Sequence, residues 1–587
     1  MHDVVIRGGT VVDGTGAPAT TADVAISGGL ITQVGRVDGT SRRSIDAGGL
    51  VVTPGFVDIH THFDGQATWD PHLTPSCWHG VTTAVLGNCG VGFAPVRPGR
   101  ERWLIELMEG VEDIPGSALS EGIRWEWETF PEYLDALERM PRSLDVGTHV
   151  PHAAVRAFVM GARAHDPATP DDLASMCAIL AEALEAGALG FSTGRTAGHR
   201  DVHGEPVPGT FAAADEVVAL LDVMDEQGRG VLQLVPAGIS GELGGDAKGA
   251  MAGELEWILR AGARSNRPIT FLVMESGRQP DLWREWFDEV RGANRRGADI
   301  RPQVASRCFG MLFGHQSHMN PFRYRPSYRA LQAMAFDEKV RALRDPEVRA
   351  QILAEDAAPP SGAPLVDWYT EHLFDRLFPL GEALDYEPEA DASVAAIAGR
   401  TGREPWEVLY DLMLDDDGRA FLLHPLLNYG RGGYDGLHDM LADPMTVQGL
   451  GDGGAHCGII CDASMTTYLL TYWVRDRRRG ERLPLEWAVR RLTMDPAALY
   501  GLDDRGALVP GRRADLNLID LDRLRLLGPE RVADLPAGAT RLIQRSEGYH
   551  QTIVGGEVVV EDGELTDARP GRLVRGPRAG AGAPRSS

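Results

Sequence analysis

Lysine is nearly absent from this chain of 587 residues: Lys248 and Lys339 are the only two, so arginine supplies 56 of the 58 basic residues. A GC-rich coding sequence produces the same bias with no functional meaning. Lys248 lies in the glycine-rich GELGGDAKGAMAG and Lys339 in the helical DEKVRALRD, so neither stands at the end of an apolar strand. Positive charge is scarce overall. The formal net charge of −26 excludes nucleic acid and anionic membrane as general partners. Six scattered cysteines do not make a disulfide framework, and they suit a reducing, cytoplasmic setting. No apolar run approaches the ~20 residues of a membrane helix. Met1 to Val11 carries no signal-peptide pattern, because polar residues interrupt it from the start.

What remains is an ordinary globular composition, 43% hydrophobic and 24% charged, on a chain long enough for more than one domain. Residues 1–54 alternate apolar and polar positions around paired glycines, as in DVVIRGGTVVDGTG and ADVAISGGLITQVG, which predicts β-hairpins. The same texture returns in ADLNLIDLD and YHQTIVGGEVVVEDGEL, so 506–570 is expected to complete one small β-sandwich with 1–54. Between them, 55–505 alternates helical and strand-like runs. DLASMCAILAEALEAGA precedes LGFST, AADEVVALLDVMDEQGR precedes GVLQLV, and GELEWILRAGARSN precedes PITFLVM. Repeated units of this kind predict parallel strands and, at this length, a (β/α)8 barrel of the TIM type. The rhythm breaks over about 309–400, read as an insertion over the pocket mouth. The Pro/Gly/Arg-rich 571–587 is expected to be a disordered tail. GGTVVDGTG leads into a strand and lacks the helix that a nucleotide loop needs, so no cofactor other than metal is indicated.

The stretch GFVDIHTHFDG ends a short apolar strand with His60 and His62, two residues apart and therefore on one face. Cys89 follows the next strand in LGNCGVG, and Asp452 sits in VQGLGDGGAH. Each alone has a plain alternative: Cys89 as a small buried hydrophobe, Asp452 as a turn former. Together they fall at successive points where a barrel gathers its strand ends, and two imidazoles, a thiolate and a carboxylate suit Zn²⁺.

The motifs TPGFVDIHTHFD, GVTTAVLGNCGVGFAPVRP, GALGFSTG and LTMDPAALYGLDDRGALVPGRRADLNLID resemble the amidohydrolase superfamily, and specifically its N-acyl-D-amino-acid deacylase (D-aminoacylase) branch. The resemblance implies His60, His62 and Cys89 as metal ligands, with Asp452 beside the metal as general base. It also implies a barrel with a terminal β-sandwich, and by analogy a homo-oligomer. Two later histidines of that branch are replaced, at the best alignment, by Val235 and Val273, which cannot bind metal. Gln233 and Glu275 replace them only if the register shifts. The two lysines stand away from strand ends, so a carboxylated-lysine bridge is closed as well. One zinc per chain is therefore expected on His60, His62, Cys89 and Asp452.

The expected reaction is hydrolysis of an amide, of an N-acyl D-amino acid or a related acyl amine, by activated water with Asp452 as base and then acid. Alternatives are a cyclic imide, carbamate or modified-peptide hydrolase on the same centre, or a barrel retained for binding alone. A substrate carboxylate calls for an arginine; Arg195, Arg301 and Arg307 are the candidates, with His152 and His456 as further pocket residues. His149 shares a strand with His152. Cys457 and Cys461 form a C-x3-C pair best read as buried small residues, and His315 and His318 belong to the insertion.

Overall fold

The computed structural model describes residues 1–239, 247–356 and 370–576. Lys248 lies outside the described side chains. Eight parallel strands form one sheet in chain order: Phe56–Asp58, Val81–Leu86, Asp145–Pro151, Gly190–Gly194, Val231–Val235, Ile269–Leu272, Ile300–Val304 and Val447–Gln448. Nearly every residue in them is buried, as parallel strands covered on both faces require. The sheet closes into a barrel where Thr61 bridges Gly453 in parallel, His62 N donating to Gly453 O (2.8 Å) and Asp452 N to His60 O (3.0 Å). Closure therefore brings the ends of the first and last strands together. The intervening helices are built by local rules. In Pro170–Ala186, Thr169 and Asp172 form a reciprocal capping box, Met176, Leu180, Ala183 and Leu184 face inward, and Gly187 ends the helix at φ 112°.

The two termini share one mixed, nine-stranded hydrogen-bonded sheet, joined where Val51–Pro54 pairs antiparallel with Leu516–Ile519. Ile6, Val24, Ile26, Val52, Leu516 and Ile553 pack into its apolar core. A buried charge network ties this unit to the barrel. Arg505 Nη1 donates to Asp145 Oδ2 (2.7 Å) and Thr83 Oγ1 (2.7 Å), while Arg513 Nη2 reaches Asp145 Oδ1 (3.0 Å). Arg505 and Asp145 are almost fully buried. Replacing Arg505 by Met removes the nearest cation from buried Asp145 Oδ2 and leaves it only Arg572 Nε at 3.7 Å, at a cost of up to about 3–5 kcal/mol. The expected result is a clearly lower urea midpoint, with part of the loss recovered when Asp145→Leu is added.

Two boundaries differ from the sequence expectation. The insertion extends past 400: Phe309–Phe313 pairs antiparallel with Leu422–Leu427, and Phe378–Pro379 adds a third strand. These elements enclose an apolar cluster of their own, including Phe313, Phe322, Tyr328, Leu343, Tyr410 and Leu422. The strand Leu422–Leu427, beyond the expected bound of 400, thus joins the insertion instead of the barrel. At the other end, 571–576 is ordered rather than loose. Arg572 N donates to Asp145 Oδ1 (2.8 Å), Gly576 N donates to Gly187 O (2.9 Å), and Leu573 and Val574 are buried. Two apolar residues among the arginines suffice to seat it. The remainder of that tail, 577–587, lies outside the described residues. Among the described residues no helix is long and apolar enough to cross a membrane.

Candidate metal centre and cleft

His60 and His62 follow the first barrel strand directly, and their rings lie 5.4 Å apart. Both Nε2 atoms face Cys89 Sγ, at 3.2 Å from His60 and 3.7 Å from His62. Asp452 Oδ1 stands 3.6 Å from His60 Nε2 and 3.8 Å from His62 Nε2. The loops that deliver these groups are strained. Cys89 has φ 57° and Asp452 has φ 45°, both in the left-handed region sparsely used by such residues. Glycines make that possible. A Cβ on Gly90 would stand 2.7 Å from Gly194 N, and one on Gly451 would meet Asp58 Oδ2 at 1.9 Å.

His60, His62 and Cys89 fit three corners of a tetrahedral zinc site that keeps an open position, with Asp452 beside it. Zinc–nitrogen and zinc–sulfur bonds near 2.0–2.3 Å separate neighbouring ligand atoms by about 3.4–3.6 Å, close to the spacings found here. His60, His62 and Cys89 are the only described histidine, cysteine or acidic residues grouped tightly enough to hold an ion, all donors within 4.8 Å of one another. Asp452 Oδ1 is buried with no hydrogen-bond partner, which is costly unless something else satisfies it. His60 Nδ1 donates to Gln303 Oε1 (3.0 Å), leaving Nε2 with its lone pair toward the cluster. On the far side of His62, Nδ1 lies 3.4 Å from Glu112 Oε1.

Burial dominates the electrostatics. It pushes His60 down to about 3 and His62 well below the usual imidazole range, so both imidazoles are neutral, as ligands must be. It raises the Cys89 thiol and the Asp452 carboxyl well above their usual ranges, with the charges of Glu112 and other carboxyl groups adding to it. A cation among them reverses this, since a coordinated thiol is deprotonated outright.

A cleft of about 760 Å³ is walled by Asp113, His199, His315, Lys339, His456 and Arg531 among others. His456 has φ 51° and a quarter-exposed ring, 3.8 Å from Glu112 Oε2. His318 reaches Asp113 Oδ1 at 3.2 Å, and His315 Nδ1 contacts Tyr328 Oη at 2.9 Å.

The other expected pocket residues are engaged elsewhere. His152 is buried between Thr193 Oγ1 (2.9 Å) and Glu216 Oε1 (2.8 Å). Arg195 is paired with Glu254 (2.7 Å) and Arg301 with Asp299 (2.7 Å). Arg307 is fully buried over the Tyr386 ring and paired with Asp462 (3.1 Å). Each of these cations has a carboxylate of its own, so none is presented to the cleft. His149 turns to Tyr500 Oη (2.9 Å). Cys457 and Cys461 are buried and lie outside the metal grouping. Val235 and Val273 are buried in the apolar core. Gln233 Oε1 accepts from Cys89 N (3.0 Å), and Glu275 Oε2 accepts from Gly430 N (2.9 Å) of the segment following the insertion.

The family model of the amidohydrolase family, Amidohydro_3, matches residues 43–560. The chain belongs to the amidohydrolase family. It is similar to the D-aminoacylase of Alcaligenes xylosoxydans xylosoxydans, at 26% identity over 97% of this chain and 97% of that protein. The N-acyl-D-aspartate deacylase of the same organism is 29% identical over 97% of this chain and 95% of that protein. Among solved structures, a D-aminoacylase matches with a TM-score of 0.64 at 24% identity, covering 98% of this chain and 100% of that chain. The N-acyl-D-glutamate deacylase of Bordetella bronchiseptica, complexed with zinc and a phosphonate inhibitor, matches at 0.63 and 24%, over 98% and 99% of the two chains.

Four residues of this amidohydrolase escape sequence reasoning. Asp64 is buried two positions past His62, a signal that HTHFD itself carried. Gln303 lies in IRPQV, beside the arginine that had been singled out there. Glu112 ends a helix fifty residues from the histidine it faces, and nothing local marks it. His199, partly buried on the cleft wall in the loop after Gly190–Gly194, is marked only by its place after a strand.

Proposed function

We propose that this amidohydrolase removes the acyl group from an N-acyl D-amino acid or a closely related acyl amine, using one zinc ion held by His60, His62, Cys89 and Asp452. The observation that carries the reading is the convergence of His60, His62 and Cys89 at the barrel closure, with Asp452 Oδ1 3.6 and 3.8 Å from the two imidazoles. The names of the full-length relatives support the substrate class. The apolar Val235 and Val273 support a single ion.

A divalent ion in this position supplies a Lewis acid for the amide carbonyl and a water whose pKa is lowered toward ~7. The rest falls to the chain. Asp452 accepts the proton of the attacking water and returns it to the departing nitrogen, without which an amine is a poor leaving group. The dry surroundings of its carboxylate strengthen every charge interaction it makes. Gln303 keeps His60 in the ligating tautomer. The cleft above His456 admits the acyl amino acid and releases the amine.

The test is a panel of N-acetyl D- and L-amino acids offered to zinc-replete protein, with acetate release measured. Cleavage of D but not L compounds, lost with a chelator and restored by one equivalent of zinc, is the expected result. Cleavage of cyclic imides or carbamates, with every N-acetyl amino acid untouched, overturns the substrate assignment.

A further inference from the structure

The expected carboxylate-binding arginines all have carboxylates of their own, which leaves the substrate's anion without a partner among those three. Resting on the reading above, we infer that Lys339 and Arg531 form the site that receives a carboxylate of the substrate. Neither belongs to the barrel. Lys339 lies on the helix Phe336–Leu343 of the insertion, and Arg531 on the short strand Glu530–Val532 near the C-terminus; both line the cleft.

The placement of Lys339 is unusual for a charged residue, whereas Arg531 stands on an exposed strand. Lys339 is only 8% exposed, yet its Nζ has one hydrogen bond, to His315 O at 3.2 Å, and lies 4.8 Å from the centre of the Tyr328 ring. An ammonium offers three donors, so donors remain for a ligand. Arg531 donates from Nε (2.9 Å) and Nη2 (2.7 Å) to the single hydroxyl of Thr540, leaving the other guanidinium donors without a partner. Among the described residues neither forms an ion pair, although the chain is strongly acidic. Burial and the like charge of Arg531 together push the Lys339 ammonium down to about 8.

Two cations held together, one of them almost fully desolvated, are costly unless an anion completes them. The acids of the cleft are already used. Asp113 takes His318 (3.2 Å) and Gly458 N (2.8 Å), and Glu109 takes Gly116 N (3.0 Å). Arg323, also on the cleft wall, donates to His318 O (3.0 Å) and adds a third positive charge without a carboxylate. A carboxylate between Lys339 and Arg531 gains charge-assisted hydrogen bonds from both, while the amide remains free to extend toward the metal cluster. It also gives the lysine-poor chain a use for one of its two lysines.

The experiment compares wild type with Lys339→Met, Arg531→Met and Lys339→Arg, each zinc-loaded. The substrates are an N-acetyl D-amino acid, the same compound as its neutral α-carboxamide, and a homologue with a side-chain carboxylate. Each Met variant is expected to raise KM for the acid about 10- to 100-fold. Under the same conditions kcat should change little, the carboxamide should be cleaved as by wild type, and Lys339→Arg should restore most of the loss. Whichever carboxylate confers the sensitivity, α or side-chain, is the one bound there. Equal losses for acid and carboxamide mean a merely structural role and overturn the inference, as does an unchanged KM. If no amide is cleaved by wild type, the functional reading fails separately. Calorimetric titration of N-acetyl-D-aspartate into the same proteins then decides: binding lost in the Met variants supports the anion site, and no difference overturns it.

Discussion

Asp452→Asn should turn over substrate about 10²–10⁴-fold more slowly than wild type, the range supplied by a positioned general base. The substitution removes one thing and keeps the rest. Asparagine has the shape of aspartate and tolerates the left-handed backbone at φ 45° better than most residues, so the loop is not forced to move. Its side-chain carbonyl still offers an oxygen toward His60 and His62. What it cannot do is accept the proton of an attacking water and return it to nitrogen. The expected pattern is therefore a collapse of kcat with KM and bound zinc nearly unchanged, read from steady-state kinetics and metal analysis on the same sample. Retained kcat with retained zinc would move the base elsewhere, with His456 and His199 the groups on the cleft wall to examine. Zinc lost along with kcat would make Asp452 chiefly a ligand.

The sequence reading located the barrel because buried parallel strands and amphipathic helices alternate with different periods, and those periods are local properties. VTTAVL, GFSTG and VLQLV each declare a strand without knowledge of its neighbours. His60, His62 and Cys89 were legible for the same reason: each sits immediately after such a strand, and strand ends converge in a closed barrel. Partnership across the fold is not local. That Arg195, Arg301 and Arg307 have private carboxylates depends on Glu254, Asp299 and Asp462, and two of those three are far away in sequence. Leu422–Leu427 has the pattern of any buried strand, and only tertiary pairing with Phe309–Phe313 assigns it to the insertion. Lys339 was read correctly as helical. Its burial at the cleft required the insertion to fold back over the barrel mouth, which no periodicity encodes.

His60→Ala and Cys89→Ala should each abolish both zinc and activity. Wild-type protein purified without chelator should carry about one zinc per chain by elemental mass spectrometry. The magnitude follows from what each substitution leaves. Losing an outer hydrogen-bond partner of a ligand costs about 10–100-fold in metal affinity, and losing a ligand itself costs more. No spare donor stands ready, since His60, His62 and Cys89 are the one tight donor group among the described residues. Val235 and Val273 offer none, Gln233 is occupied with the Cys89 amide, and Glu275 faces the segment that follows the insertion. The two variants also separate explanations that activity alone confuses. Cys89 sits at φ 57° between Gly87 and Gly90, a conformation in which Ala is no worse than Cys, so a misfolded Cys89→Ala protein is not expected. A folded, zinc-loaded and active Cys89→Ala would remove the thiolate from the site. Two zinc ions in wild type would require further ligands, such as His199 or His456 on the cleft wall, and the single-ion reading would fall.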